Sequence, residues 1–537
     1  MQTFARIRRH VRHEVDGWSA TTVFLGLLIA APLVAVLIGV GTEGPKWDHL
    51  KETVLTGYIN NTLILVVTVS LLSILFAVLP AWLVSTCEFP GRRILEWLLV
   101  MPLAIPTYVA AFVYFQLPEE AIPLLIKIRL NYGVDAFLWA EMILRYGLLS
   151  ILLAGVLYPY LYLAVRTSFS LQRKAVIEAS RMLGQSITGT FFRVALPLAR
   201  PAMVAGLSLI IMEVVNDYGA VNFFGVPTLT EGIFRTWFGL QDRNSAVRIA
   251  GLAMGVILLV LVVERTQRGK ARFSETGATS APLSRQPLGC LPALGAILAC
   301  AIPLAIGLIY PVYQLSKWAW MTWEKVLKPE FLEQLGRSLL LSLGAAFCLT
   351  AVALLFAYAL KLHPTRWMRL GNRISTIGYA TPGAVIAIGV MVTFGWIDDQ
   401  FGKAVVSGTL LAISFAYLVR FLAVAYQPVG AGLTRVCDRL DESSRILGKP
   451  PAITLLQIHI PLVKGTLFGA AMLVFVDILK ELPLTMILRP ANFNTLSTTA
   501  FGLAKEGRIH ECAVPSLIIV GAGAVGLAIL NRYLRHN

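Results

Sequence analysis

Long apolar runs separated by short polar segments dominate the hydrophobic pattern of this 537-residue chain. Each run provides the roughly 20 residues that a helix needs to cross a bilayer. The alternating ten-residue strands of membrane barrels are absent, so helices are the expected spanning structure. The expected fold class is therefore all-α and polytopic. The pattern predicts twelve spans, at about 20–41, 59–84, 94–117, 139–165, 199–218, 246–263, 288–311, 338–360, 374–396, 404–427, 462–482 and 513–531.

The composition agrees with a membrane protein. Hydrophobic residues make up 57% of the chain and charged residues 14%, whereas a soluble domain carries about 25% charged residues. No cleavage site of the small-x-small type follows the apolar stretch 23–40, so an uncleaved signal anchor is expected there. The six cysteines form no C-x-x-C pair, and apolar packing is their simplest role.

The distribution of lysine and arginine predicts the orientation. If the N-terminus is cytoplasmic, the segments on that side carry most of the basic residues, including Arg8, Arg92, Arg268, Arg369 and Arg532. Twelve is an even number, so the C-terminus is expected on the same side. The net charge of +16 is dispersed over loops, which favours contact with anionic lipid over a nucleic-acid partner.

One residue pattern occurs twice, in two of these basic segments. The first copy is Glu178-Ala179-Ser180, Gly184 and Val194-Ala195-Leu196-Pro197. The second copy, 264 residues later, is Glu442-Ser443-Ser444, Gly448 and Ile458-His459-Ile460-Pro461. Six predicted spans separate the copies, so the two halves are expected to insert in the same orientation. The predicted organisation is a first half (1–265), a cytoplasmic linker (266–287) and a second half (288–537).

Each copy predicts an elbow of two short amphipathic helices, at about 173–197 and 437–461. Apolar residues recur at helical spacing, Gly184 and Gly448 suit a left-handed helix stop, and a proline ends the second helix. Such an elbow fits a groove on a partner protein, and the alternative is a helix lying on the lipid surface. The presence of two copies, both on the predicted cytoplasmic side, favours docking on a partner protein over binding to the lipid surface. The predicted docking residues are Glu178, Ala179, Gly184, Pro197, Glu442, Ser443, Gly448 and Pro461.

Acidic residues inside the spans form a second symmetric set. Glu213 and Asp217 in the fifth span match Asp477 and Glu481 in the eleventh. Ionisable groups in a membrane are costly and are functional candidates by default. The four acids either line a translocation pathway, where their oxygens could bind a hard metal cation transiently, or are solvated at the interface, with Lys480 pairing Asp477.

Three other features of the sequence bear on the fold. Arg145 and Glu141 are spaced to neutralise each other on one helix. Arg420 and Glu96 have no obvious partner in the sequence. The two halves differ by twelve residues between their third and fourth spans, where the first half is expected to have an extra loop at 118–138.

The elbow pattern resembles the coupling loop of bacterial ABC import permeases. The runs 217–226, 233–239, 477–485, 488–490 and 494–496 resemble a narrower family, the fused two-half ferric-iron permeases. This resemblance implies the type I importer fold in the bacterial inner membrane and ferric iron delivered by a periplasmic binding protein. It also implies two ATPase subunits on the elbows, which use ATP and magnesium, and no cofactor on this chain. Permeases for thiamine, phosphonate, polyamine or sulfate share the coupling loop and remain alternative functions.

The sequence contains no ATP-binding loop. The motif G-x-x-x-x-G-K-[ST] is absent, so ATP hydrolysis is expected in a separate subunit and this chain is expected to be a transport subunit. An intramembrane enzyme is the remote alternative, and the placement of all seven histidines in loops or at span ends disfavours it.

Overall fold

The computed structural model describes residues 17–171, 180, 182–269, 285–375, 377–403 and 405–536. In this part of the chain nearly all regular structure is helical, as the hydrophobic pattern predicts. The prediction of an all-α polytopic fold is confirmed.

Helices of the first half begin with the first predicted span. They are α1 (Gly17–Gly39), α2 (Trp47–Thr53), α3 (Leu55–Thr86), α4 (Arg92–Leu98), α5 (Thr107–Tyr114), α6 (Gln116–Glu120), α7 (Ile122–Leu171), α8 (Ile187–Thr190), α9 (Leu196–Asn216), α10 (Gly219–Phe223), α11 (Leu229–Phe234) and α12 (Arg243–Gly269).

The helices of the second half follow the same general order. They are α13 (Cys290–Leu304), α14 (Tyr310–Val326), α15 (Pro329–Leu362), α16 (Arg366–Ser375), α17 (Gly383–Phe401), α18 (Leu410–Thr434), α19 (Asp438–Ile446), α20 (Pro451–Thr454), α21 (Ile460–Leu479), α22 (Pro483–Leu488), α23 (Leu496–Lys505) and α24 (Ala513–His536).

Every predicted span has a helical counterpart in the described residues. Ten helices are long and apolar enough to cross a membrane, and a bent pair provides an eleventh candidate. The twelfth prediction corresponds to a shorter apolar helix, Ala513–Ile529.

The third span is broken. Arg92–Ala104 and Thr107–Pro118 meet at an angle of 91°, and Pro106 lies at the break because proline cannot donate the helical hydrogen bond. The ninth span has the same design, with a 3₁₀ turn (Ile377–Ala380) and Pro382 before α17. In both halves a helix therefore starts inside the membrane-spanning bundle.

The prediction of a loop at 118–138 is wrong. Most of this insertion is helical and continues into the fourth span as α7, interrupted at Gly133, whose φ is +88°. The loop was inferred from the twelve-residue difference between the halves, which indicates an insertion but not its conformation. Only the non-helical backbone at Gly133 breaks the helix, since glycine has no Cβ to oppose a positive φ.

The first span of each half packs on the opposite half. α1 lies against α16 and α17, and the turn that joins α13 to α14 lies against α7. These contacts are very close: a Cβ on Gly389 would lie 2.3 Å from the Pro32 carbonyl oxygen, and one on Gly307 would lie 1.9 Å from that of Gly155. The two halves are thus interlocked by an exchange of their first helices.

A short parallel β-pair closes the linker. β1 (Cys87–Glu88) follows the second span, and β2 (Gln286–Pro287) precedes the seventh. Residues 270–284 of the predicted linker lie outside the described residues.

Candidate functional site

The second elbow is described in full. α19 ends near Gly448, whose φ is +71° as a left-handed helix stop requires. α20 and a π-helical turn (Leu455–His459) then lead into α21, with Pro461 in its first turn. The prediction that this proline ends the second helix of the elbow is wrong, because the helix continues through it to Leu479. Glu442 and Ser443 are exposed on the surface of α19.

The first elbow shares this geometry wherever it is described. The φ of Gly184 is +80°, and a π-helical turn (Phe191–Ala195) again precedes the spanning helix, with Pro197 in its first turn. Glu178 and Ala179 lie outside the described residues, so their predicted roles remain predictions. π-Helical turns inside helices frequently occur at functional sites, and here one lies at the same repeat position in each half.

A buried hydrogen bond closes each elbow. The Ser444 and Thr454 hydroxyl oxygens lie 2.6 Å apart, and those of Ser180 and Thr190, at the matching positions, lie 3.2 Å apart. The serines belong to the repeated pattern, but nothing in the sequence indicated their threonine partners. In the second elbow this bond joins α19 to α20.

Each elbow presents a pair of large apolar side chains to its surroundings. Met182 and Leu183 are 90% and 84% exposed, and the matching Ile446 and Leu447 are 86% and 76% exposed. These pairs precede the two positive-φ glycines. The surface that they form is the apolar knob that the sequence pattern predicts.

The second elbow has an additional buried polar cluster. The His459 Nε2 lies 2.7 Å from an Asp441 carboxylate oxygen, and the Lys361 Nζ lies 3.6 Å from the other Asp441 oxygen. The Lys361 ammonium also donates to the Val436 carbonyl at 2.7 Å. In the first half, the position that matches His459 is Ala195. The two elbows are therefore held to their halves by different chemistry.

The four acids of the spans meet at one cavity between the halves. The cavity has a volume of about 90 Å³ and includes residues from the broken third span and from both acid-bearing helices. Its polar lining consists of Thr107, Tyr108, Tyr160, Glu213, Asn216, Asp217, Tyr218, Tyr379, Arg420, Asp477, Lys480 and Glu481. We call it the large cavity, to distinguish it from a smaller one that adjoins it. The acids are distant in sequence and adjacent in the fold.

Asp217 stabilises a helix start. Its carboxylate accepts hydrogen bonds from the backbone N–H groups of Ala220 at 2.9 Å and Val221 at 3.1 Å, and a further one from the Thr107 hydroxyl. An acceptor here satisfies N–H groups at the first turn of α10 that have no partner within the helix.

Glu481 has the matching role in the second half. Its carboxylate accepts from the backbone N–H of Leu484 at 3.0 Å and lies 3.3 Å from the Arg420 guanidinium. Position 383, which matches Thr107, is a glycine, and a Cβ there would lie 2.6 Å from an Arg420 nitrogen. The arginine thus occupies the space that a threonine side chain fills in the first half.

The other two acids are less constrained. Asp477 pairs with the Lys480 ammonium at 2.9 Å. The Glu213 carboxylate has no hydrogen-bond partner within the described part of the chain. Of the four acids, Glu213 is thus the one that is free to contact a solute.

The interfacial interpretation is only partly realised. α9 ends at Asn216 and α21 at Leu479, each between the two acids of its pair, and the Asp477–Lys480 pair exists. However, the side chains of Asp217 and Glu481 are each only 6% exposed, and all four acids line a cavity inside the protein. No group of three or more His, Cys, Asp or Glu side chains in the described ranges could hold a metal ion, so the transient metal site stays a prediction.

The structure supplies partners that the sequence did not reveal. Arg420 pairs with Glu481, and Glu96 pairs with Arg92 and Arg166. The predicted pair of Arg145 and Glu141 is confirmed. The sequence shows Arg420 as a charged residue within a span. That it lies in the cavity depends on how α18 packs against helices distant in the chain.

Comparison with known proteins indicates the class to which this protein is similar. Residues 73–268 match the family described as binding-protein-dependent transport system inner membrane component. An Fe(3+)-transport system permease protein, FbpB 2 of Haemophilus influenzae, is 23% identical over 525 residues, which cover 95% of this chain and 97% of that protein.

Two further relatives match about half of the chain. A probable molybdenum ABC transporter permease of Haloferax volcanii is 26% identical over 255 residues, covering 46% of this chain and 90% of that protein. The sulfate transport system permease protein CysT of Synechocystis is 25% identical over 268 residues, covering 48% and 90%.

The helical bundle and these matches define a multi-pass inner-membrane permease, the membrane subunit of an ABC transporter. Residues 73–268 match the binding-protein-dependent transport inner-membrane component family, and over nearly its whole length the chain is similar to a ferric-iron permease. Its relatives are transport subunits and not enzymes.

Proposed function

We propose that this permease moves ferric iron from a periplasmic binding protein to the cytoplasm, with both termini cytoplasmic. The observation that carries the proposal is the large cavity, which contains four carboxylates and two cationic side chains. Its formal charge is negative when all six groups are ionised. Carboxylate oxygens suit a hard metal cation.

The helix starts around the large cavity argue against an oxyanion. An oxyanion would bind to free backbone N–H groups at helix N-termini. Here Asp217 and Glu481 already accept from the first turns of α10 and α22, and Asn216 accepts from the Gly383 N–H at 2.6 Å at the start of α17. Protein oxygens therefore occupy the positions that sulfate, molybdate or a phosphonate would need.

The size of the cavity bears on organic solutes. A volume of about 90 Å³ is well below the 300–1,000 Å³ that is typical of sites for organic ligands. It favours a small ion over thiamine, a polyamine or a phosphonate. Sulfate and the organic solutes remain alternative substrates of the same architecture. The half-length relatives carry names for molybdenum and sulfate.

The elbows support a proposal about energy supply. Two copies of a separate ATPase, using ATP and magnesium, would each receive one exposed apolar pair, Met182 with Leu183 or Ile446 with Leu447. Large apolar side chains on a protruding elbow fit a groove on a partner. The binding protein would dock on the opposite face, at 219–245 and 483–512.

The two-half organisation fits this proposal. We assign 1–265 and 288–537 to the halves and 266–287 to the linker. One ATPase per elbow then acts on one half, and the interlocked first helices would transmit the movement of either half to the other.

Uptake by whole cells tests the substrate. Cells that carry this chain with its ATPase and binding protein should accumulate radioactive ferric iron, and excess sulfate or molybdate should not compete. The double variant Glu213→Gln/Asp477→Asn should reduce iron uptake at least tenfold, because it removes the two carboxylates that do not cap helices. Sulfate or molybdate uptake without iron uptake would refute the proposal.

A second pair of variants serves as the control for folding. Asp217→Asn/Glu481→Gln changes the helix-capping acids and should lower thermal stability as well as uptake. Glu213→Gln alone should leave stability nearly unchanged, because its carboxylate has no hydrogen-bond partner among the described residues, whereas Asp477→Asn also leaves Lys480 without its ion-pair partner. Normal iron uptake in the Glu213→Gln/Asp477→Asn variant would exclude a role of these two acids in the pathway.

A further inference from the structure

A second, smaller cavity adjoins the large one. Its volume is about 10 Å³, and it is lined by Leu209, Met212, Ala380 and Thr381 among others. Leu209 and Met212 precede Glu213 on α9, so this small cavity lies nearer to the elbow end of that helix. The two cavities follow one another along the direction in which a solute would move.

Five side chains line both cavities and therefore separate them. They are Tyr160, Glu213, Asn216, Tyr379 and Arg420. Three come from the first half and two from the second. We call this set the partition. A solute that passes from one cavity to the other must contact it.

Two members of the partition are already bound within the protein. The Asn216 side-chain oxygen accepts from the Gly383 N–H and from the Arg420 guanidinium at 3.1 Å. Arg420 in turn lies beside Glu481. These two residues form the fixed wall of the partition.

The other three members carry oxygen atoms that are available. Tyr160 and Tyr379 come from different halves, and both line the large and the small cavity. The Glu213 carboxylate has no hydrogen-bond partner among the described residues. Each half thus contributes one phenol, and the first half adds a carboxylate.

We propose that Tyr160, Tyr379 and Glu213 form a transit site that binds a trivalent metal cation through three oxygen atoms. Phenolate and carboxylate oxygens are hard donors, which a hard cation prefers over nitrogen or sulfur, and a tyrosine oxygen is a known ligand of ferric iron. As the metal binds, each phenol transfers its proton to water in the large cavity and its oxygen forms the bond to the metal. The oxidation state of the metal does not change.

Arg420 keeps this binding weak. Its positive charge lies in the same partition and repels a trivalent cation, so the metal is released toward the small cavity. A conduction site must bind well enough to admit an ion and weakly enough to let it leave. The inference rests on the proposed ferric substrate, and it identifies the ligands within the pathway.

The test uses the purified full-length chain with ferric nitrilotriacetate. Coordination by a phenolate produces a visible charge-transfer absorption, which carboxylate coordination alone does not produce. We expect this absorption in the wild type and its loss in Tyr160→Phe/Tyr379→Phe. Tyr158→Phe is the matched control, because Tyr158 lies on the same helix and its buried hydroxyl has no partner among the described residues.

Uptake by the complete transporter in cells distinguishes the two proposals. Tyr160→Phe/Tyr379→Phe should reduce iron uptake at least tenfold, while Tyr158→Phe should transport normally. Absence of the absorption from the wild type, or its persistence in the double variant, would overturn the transit site even if iron is transported. Absence of iron uptake by the wild type would refute the ferric substrate itself.

Discussion

The side-chain oxygen of Asn216 accepts a hydrogen bond from the backbone N–H of Gly383 at 2.6 Å, and this contact joins the two halves. Asn216 is the last residue of α9, and Gly383 is the first residue of α17. The same oxygen also accepts from Arg420. One amide thus fixes the helix start of the other half and the arginine of the large cavity.

Asn216→Ala should destabilise the junction between the halves. It leaves the buried Gly383 N–H without its acceptor, which costs about 1–3 kcal/mol. We expect a lower midpoint of thermal unfolding in detergent and reduced uptake. Asn216→Asp keeps the acceptor oxygen and should retain more stability than the alanine variant. Equal stability of the two variants would show that this hydrogen bond is unimportant.

Gly184→Val/Gly448→Val should uncouple ATP hydrolysis from transport. Both glycines have a positive φ, and a β-branched residue resists this conformation at a cost of about 1–2 kcal/mol per position. The membrane helices should still insert, since the elbows lie outside the spans. The measurement is uptake together with ATPase stimulation.

The matched control for the elbows is Gly184→Asn/Gly448→Asn. Asparagine adopts a positive φ more readily than valine, and a Cβ at either glycine has no neighbour within 4 Å. The asparagine variant should therefore retain most of its transport. If the valine variant transports as well as the wild type, the geometry of the elbows does not matter for coupling.

His459→Ala should weaken the second elbow specifically. The imidazole is fully buried and hydrogen-bonded to Asp441, and leaving this carboxylate oxygen without its partner costs about 1–3 kcal/mol. We expect a fall in thermal stability and in uptake. Glu442→Ala, on the exposed side of the same helix, should reduce coupling to the ATPase without this loss of stability. Equal thermal stability of the His459→Ala and Glu442→Ala variants would contradict this prediction.

Asp242 should make the loops on the side opposite the elbows sensitive to acid. Burial disfavours its charge, but hydrogen bonds from the Ser245 hydroxyl and from the backbone N–H groups of Ser245 and Lys46 outweigh burial and lower its pKa. A lowered pKa in the folded state adds stability above the ordinary pKa of about 4, and this stability is lost as the pH falls through the folded value.

The measurement for Asp242 is the thermal midpoint as a function of pH. The wild type should lose stability below about pH 4, and Asp242→Asn should be less stable at neutral pH and show a smaller loss on acidification. Parallel pH profiles for the two proteins would exclude this carboxylate as the cause.

The sequence by itself determined that the protein is a membrane protein, that a helix lies at each of the twelve predicted spans, and that the elbow glycines have a positive φ. These features depend on local hydropathy and on backbone preferences, which a linear pattern records directly. The helical conformation of the insertion at 118–138 was missed because a length difference between the halves indicates an insertion but not its conformation.

Only the tertiary structure decided how the four acids differ. The repeat presents Glu213 and Asp477 as equivalent, and likewise Asp217 and Glu481. Yet Asp217 binds the Thr107 hydroxyl, whereas Glu481 faces Arg420. The exchange of first helices and the meeting of Tyr160 with Tyr379 also escaped sequence reasoning. Each depends on packing between residues far apart in the chain, and a periodic pattern specifies which face of a helix is apolar but not which helix it meets.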